Sequence, residues 1–168
     1  EAVPVFEGLL QRHDKDAALH YDLGRALAGA RRYDEAIAAY RRALLLEPAY
    51  LNAMNNLAFT LALSGRNEEA EAWLQRAFVL DAVNPDTLFN LGYVYSVLGR
   101  VPEAMRKFRE VLVLNPAHAP SHLNLGLLLE NQGQATEAAE AFRKAIEADD
   151  SLALAHHNLA GLLRASGD

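Results

Sequence analysis

The sequence predicts an all-α chain of stacked helical hairpins, and three observations carry that prediction. The phrases Leu23-Gly24, Leu91-Gly92 and Leu125-Gly126 recur on a 34-residue period, with Leu57-Ala58 and Leu159-Ala160 on the same beat. Ala36, Ala70, Ala104 and Ala138 follow twelve residues after the small residue of the phrase. Between these marks lie two apolar patterns of helical spacing, separated by a short turn. A period of this length marks supersecondary units that bury their apolar face only by stacking. Such an array displays surface and seldom performs chemistry.

Taking residue 17 as position 1 of the unit, residues 1–16 fit positions 19–34 and form a half-unit made of a second helix, with Ala2, Phe6 and Leu9 on the expected marks. Pro4 is the expected start of that helix, since proline is tolerated in a first turn. Four full units follow at 17–50, 51–84, 85–118 and 119–152. The first helix of each carries leucine at position 7 (Leu23, Leu57, Leu91, Leu125) and a bulky residue at position 11 (Leu27, Leu61, Tyr95, Leu129). That i, i+4 spacing puts both on one buried face. Position 8 is Gly or Ala throughout, which lets a neighbouring helix approach closely. Turns follow at Ser64-Gly65-Arg66, Leu98-Gly99-Arg100 and Gln132-Gly133-Gln134, with glycine where a helix end wants a left-handed residue. The first unit has the weaker Ala30-Arg31-Arg32. The second helix has Ala at position 20, a large residue at position 24 (Tyr40, Leu74, Phe108, Phe142) and a small one at position 27 (Ala43, Ala77, Val111, Ala145). Pro48 and Pro116 at position 32 are read as helix stops. Ala82 and Asp150 break that rule, and Pro85 is assigned the stop in the second unit. Residues 153–168 fit positions 1–16, a half-unit made of a first helix, with Leu159, Ala160, Leu163 and Gly167 in place. Half-units at both ends lead us to expect a piece of a longer array or of a multidomain protein.

Composition restricts the function classes. The chain has 168 residues, 51% of them hydrophobic and 23% charged, and a net charge of −6 divided evenly between its halves. No basic tract is present, which argues against nucleic acid or an anionic membrane as the main partner. No apolar run approaches the roughly 18 residues of a membrane span. Cysteine is absent, so disulfides and thiolate metal sites are excluded. The chain opens on Glu1 rather than Met, consistent with removal of an upstream segment. No compartment is identified; a soluble, cytoplasmic protein is the default expectation.

These marks resemble the tetratricopeptide repeat family over essentially the whole chain. The resemblance depends on eight positions recurring over four units. One departure is position 4, often a large aromatic in the family and here His20, Met54, Leu88 and His122. The resemblance implies a right-handed superhelical solenoid, 1–168 as a single array, whose first helices line a concave face with positions 2, 5, 6, 9, 12 and 13. Position 6 is then notable: Asn56, Asn90, Asn124 and Asn158, with Asp22 in the first unit. A carboxamide offers donor and acceptor side by side, so a file of them can hold the backbone of an extended peptide whatever its side chains. The file is similar to the asparagine ladder in the repeats of protein O-linked N-acetylglucosamine transferases, although asparagine at this position is common across the family. Asn52, Asn55, Phe59, Phe89, Tyr93 and Leu127 complete the candidate peptide-binding face, with Tyr21, Leu63, Val97 and Leu123 beside them. Spaced aromatic anchors suit an extended or helical segment; the alternative is that some of the rings pack between repeats.

Other readings are weaker. Members of the family that bind chaperone tails use lysine and asparagine at positions 5 and 9; here those slots hold Tyr21 and Arg25, Asn55 and Phe59, Phe89 and Tyr93. No catalytic residue, metal site or cofactor is assigned. His118 and His122 are separated by Pro120, His156 and His157 diverge by about 100° on a helix, and Ser64, Ser96, Ser121, Ser151 and Ser166 lie in no nucleophile motif. Arg31-Arg32 and Arg41-Arg42 read as a solvated convex face, and Trp73, with no evident partner, as packing. The expected function is a non-catalytic scaffold holding a peptide segment or partner helix. Alternatives are the recruiting arm of a larger enzyme, such as a glycosyltransferase, and an assembly protein. The complementary half-units and Leu159, Leu162 and Leu163 suggest end-to-end self-association through a heterologous contact.

Overall fold

The structure, a computed structural model, describes residues 2–166, without the side chain of Ser166; Gly167 lies outside the described residues. Every regular element among them is an α-helix: α1 (Ala2–Leu10), α2 (Ala17–Gly29), α3 (Tyr33–Leu46), α4 (Leu51–Leu63), α5 (Asn67–Leu80), α6 (Pro85–Val97), α7 (Val101–Leu114), α8 (Ala119–Asn131), α9 (Ala135–Ala148) and α10 (Ala153–Ser166). The even-numbered helices begin 34 residues apart, and so do α3, α5, α7 and α9. Two compact units result, Glu1–Asn90 and Leu91–Asp168, each described below by itself.

Local chemistry explains the helix ends. Asp16 caps α2, its carboxylate accepting from the Ala18 and Leu19 amides at 2.9 and 3.1 Å. Asn84 does the same for Thr87 at 3.0 Å, and His118 Nδ1 for Ser121 at 3.2 Å. These bonds satisfy amides that the first helical turn leaves without partners. First helices of the full repeats end in paired backbone bonds: Arg66 N–H to Leu61 O at 2.9 Å and Gly65 N–H to Ala62 O at 3.0 Å, with the same pairing at Gly99 and Gly133. The motif needs a left-handed residue, and Gly65, Gly99 and Gly133 supply φ of 80°, 73° and 76°. Arg31 takes the same conformation at φ 59°, and the same bonds close, Arg32 N–H to Leu27 O and Arg31 N–H to Ala28 O, both at 2.9 Å. The motif is thus kept in the first repeat at the steric cost of a Cβ.

Proline is not required to stop the second helices. All four end at position 30, whether or not proline follows. Pro85 stops nothing: it is the first residue of α6, a place where its missing N–H costs no helical bond. The turn is made one residue after the helix end, at position 31. There Asp81, Asn115 and Asp149 have extended backbone and accept the amides of Val83, Ala117 and Ser151 at 3.1, 3.2 and 3.0 Å. Such Asx turns compete with continuation of the helix. Likewise α1 runs from Ala2, and Pro4 falls within its first turn rather than at its start.

In the first unit the core is built from Leu27, Ile37, Tyr40 and Leu44 with Met54, Leu57, Leu61 and Leu74, all at most 5% exposed. The second unit buries Leu91, Val94, Phe108, Val111 and Phe142 at 1% or less. Position 8 meets position 24 in the three hairpins that have glycine at position 8. A Cβ on Gly24, Gly92 or Gly126 would lie 2.5, 2.7 or 2.6 Å from the ring of Tyr40, Phe108 or Phe142, so these glycines make room for the rings. Where position 24 is Leu74, position 8 is Ala58.

The histidines at position 4 replace the family's aromatic with a polar link. Nε2 of His20, His122 and His156 lies 2.8, 2.8 and 3.0 Å from the carbonyl of Asp14, Pro116 and Asp150, six residues earlier. Each pins the turn before its own helix, while Met54 and Leu88 fill the slot by packing, at 4% and 2% exposed.

Candidate functional site

The first unit presents α2, α4 and the start of α6. Tyr21 on α2 lies beside Tyr50 and Tyr40, with centroids 5.0 and 6.0 Å apart, and the Arg25 guanidinium sits 5.7 Å from the Tyr21 ring. Asp22 reaches Arg25 at 3.7 Å, with both side chains substantially exposed. Burial pushes the Tyr40 hydroxyl well above the usual tyrosine range, with Tyr21 beside it adding to the shift. It raises Tyr50 too, helped by Tyr21, Asp22 and Glu47. Both hydroxyls stay neutral at physiological pH, and that of Tyr40 meets the Asn56 side chain.

The file of asparagines differs from repeat to repeat. Asn56 Nδ2 donates to the Tyr21 hydroxyl at 3.1 Å. Asn90 Nδ2 makes a long contact of 3.5 Å with the Asn55 carbonyl. Both reach a residue 35 earlier, linking position 6 of one repeat to position 5 of the one before. In the second unit Asn124 Nδ2 instead bonds the Pro120 carbonyl of its own helix at 2.8 Å. Asn158 Nδ2 is buried and has no partner among the described residues. The expectation of equal donor and acceptor character is therefore modified. Asn56, Asn90 and Asn124 each have an N–H engaged within the protein; the Asn56 side chain also meets the Tyr40 hydroxyl, while no bond to Oδ1 of Asn90 or Asn124 is seen among the described residues.

Asn55 is not on the open face. It is 3% exposed, its Oδ1 accepts from the Thr87 hydroxyl at 3.0 Å, and its Nδ2 makes a long 3.4 Å contact with Asn84 Oδ1. The sequence signal was available: Asn84 and Thr87 form a cap three residues apart, and a capping oxygen with an inward-facing hydroxyl needs a buried polar neighbour. The other first-unit candidates are accessible. Asn52 is exposed, Phe59 is 37% exposed, and Phe89 is half-buried. Leu63 is exposed beside them. In the second unit Tyr93, Leu123 and Leu127 are half-buried and Val97 is exposed. Each unit therefore combines amides with apolar or aromatic side chains on its first-helix face, an arrangement suited to holding a polypeptide rather than to transforming one. No helix of the described residues is long and apolar enough to cross a membrane.

Comparison with known proteins agrees with this fold. A tetratricopeptide repeat model matches residues 1–50 and 21–85. A model of the middle TPR-like domain of cilia and flagella-associated protein 70 matches residues 57–161. The peroxisomal targeting signal receptor of Saccharomyces cerevisiae is 40% identical over 58 residues, covering 34% of this chain and 10% of that protein; the chain thus corresponds to about a tenth of the receptor's length. TTC0263, a thermophilic TPR protein of Thermus thermophilus, superposes with a TM-score of 0.82 at 22% identity over 97% of this chain and 89% of that one. YrrB, described as a TPR protein with an unusual peptide-binding site, gives a TM-score of 0.71 at 22% identity over 96% and 84% of the two chains. At these identities the two structures establish the fold, and with the sequence models, which between them span residues 1–161, they place this chain in the tetratricopeptide repeat family.

Proposed function

We propose that the chain is a non-catalytic protein-interaction module that holds an extended peptide segment on its first-helix faces, with Asn56, Asn90, Asn124 and Asn158 as the backbone grip. The observation that carries this reading is the state of the amides. With an N–H of Asn56, Asn90 and Asn124 engaged internally, each carboxamide is oriented, and the oxygens of Asn90 and Asn124 are left to accept. A peptide N–H is the donor that every residue except proline supplies, so the grip is tolerant of side chains. Asp22 takes the same slot in the first repeat as a second kind of acceptor. Phe59, Phe89, Tyr93 and Leu127 add apolar contact, and Asn52 a rim contact. The protein-interaction role common to the family supports the reading, as does the description of YrrB as a peptide binder and that of the yeast relative as a targeting signal receptor.

The test uses peptides selected from a random display library against this protein. Binding of each to the wild type and to the Asn56→Ala, Asn90→Ala variant is measured after equal helicity is established. A loss of about tenfold or more is expected in the variant, the size of a lost hydrogen-bonding pair. N-methylation of single peptide amides should reproduce that loss at the gripped residues while leaving the side chains intact. Equal binding to both proteins, with no sensitivity to N-methylation, would sink the reading.

A further inference from the structure

We infer that the first unit carries a second docking surface on its second-helix side, built for an amphipathic helix with acidic flanks. Helices α3 and α5 are joined there by an ion pair between Arg41 and Glu69. Leu45 lies one turn beyond Arg41, and Trp73 one turn beyond Glu69, so each shares a helix face with one member of that pair. Leu45 is 70% exposed. Trp73 is half-buried, with the Arg76 guanidinium 4.7 Å from its ring. Leu80, two turns along the same face as Trp73, is 51% exposed, and Val79 on the adjoining crest is 83% exposed.

Nothing in the fold requires these side chains. In the fourth repeat the positions of Trp73 and Val79 are Ala141 and Glu147, and α9 forms with the same length and the same ends as α5. A tryptophan and an arginine set among exposed aliphatics is the composition that dominates protein-binding surfaces, and a cluster of this kind on a helix face marks an interaction site.

Charge selects the occupant. Arg42, one turn before Leu45, and Arg76 enter no ion pair among the described residues. The carboxylates of α5 are Glu68, Glu69 and Glu71, and none of them bridges to either arginine. Two guanidiniums without a carboxylate partner on the same helices as exposed Leu45, Val79 and Leu80 favour a partner helix whose apolar stripe, at i, i+3 and i+7, is flanked by Glu or Asp.

The probe is a display library of helical peptides about five turns long. Its apolar stripe varies among Leu, Ile, Met and Phe, and its flanking positions vary among acidic, basic and neutral residues. Selection against the wild type should enrich acidic flanks. The selected helices should bind the Trp73→Ala, Val79→Glu variant at least about tenfold more weakly, and the Asn56→Ala, Asn90→Ala variant as well as the wild type. The first variant carries the fourth repeat's own residues, so its helicity and melting are expected to match the wild type. Arg76→Glu should weaken acidic-flanked helices and restore binding when the flanks are lysine. The proposal fails if no helices are selected, if the flanks come out basic or neutral, or if binding is unchanged by Trp73→Ala, Val79→Glu. It fails equally if light scattering shows that the wild type dimerises and this variant does not, since the occupant would then be a second copy. Loss of binding in the asparagine variant alone would assign the helices to the peptide face instead.

Discussion

At the scale of single residues, the most constrained feature is the contact between positions 8 and 24. The pairs Gly24–Tyr40, Gly92–Phe108 and Gly126–Phe142 hold a ring over a bare Cα, whereas the second repeat has Ala58 and Leu74 at these two positions. One space is divided in two ways, as dense packing demands. Gly126→Ala places a methyl group 2.6 Å from the Phe142 ring, and that ring is fully buried and has nowhere to move. A loss of about 1–3 kcal/mol by urea denaturation is expected. Phe142→Leu alone is also destabilising, through the void it leaves. The double variant copies the Ala58–Leu74 pair and should be more stable than the sum of the two losses, with a coupling of about 1–3 kcal/mol. Strict additivity would show that the two sites do not share the space.

At the scale of elements, the helices are tied at their ends by polar contacts whose state depends on pH. Glu69 on α5 is partly desolvated, which raises its pKa, but hydrogen bonds from Arg41 on α3 and Arg66 outweigh that effect and hold it below the usual carboxylate range. A depressed carboxylate contributes stability that is present above its unfolded pKa and is lost as the pH falls through the folded one. Glu69→Gln should therefore lower the melting temperature at neutral pH. The difference from wild type should shrink as the pH drops below the ordinary carboxylate range and vanish in acid. Glu35, Glu103 and Glu140 are lowered as well, chiefly by their bonds to Arg32, Arg100 and Lys144, but they add the same background to both proteins. A melting difference independent of pH would mean that the Arg41–Glu69–Arg66 contact carries no charge-dependent stability. Such partly exposed pairs are individually weak, so the result is read from the shape of the curve rather than its height.

At the scale of the whole molecule, an array of hairpins is stabilised by neighbours and not by a central core. Burial within the first unit shows the consequence. Helix α4 buries residues from Ala53 to Ala62 on nearly every side, whereas α1 buries Val3. Local opening should follow that difference. Native-state hydrogen exchange is expected to protect the amides of α4 most strongly in this unit and those of α1 least. Equal protection in the two helices would show that the first unit opens as one cooperative block.

The period, the type and phase of each helix, and the glycine turns were legible in the sequence because they rest on local rules. Helical spacing puts Leu57 and Leu61 on one face wherever the chain goes, and a left-handed turn asks for Gly65 in any setting. The family and the choice of first-helix side chains follow from that phase. Only the tertiary structure decided what each side chain meets, because the partners stand far apart along the chain and periodicity says nothing about them. It turned Asn55 inward to Thr87 and Asn84 and engaged the nitrogen of Asn56 with Tyr21. It moved the role of Pro85 from the end of one helix to the start of the next. It also joined α3 to α5 through the ion pair of Arg41 with Glu69. The physical reason is common to all of these. A helix phase is set by neighbouring residues of the chain, whereas burial and hydrogen bonding are set by whichever helix packs alongside.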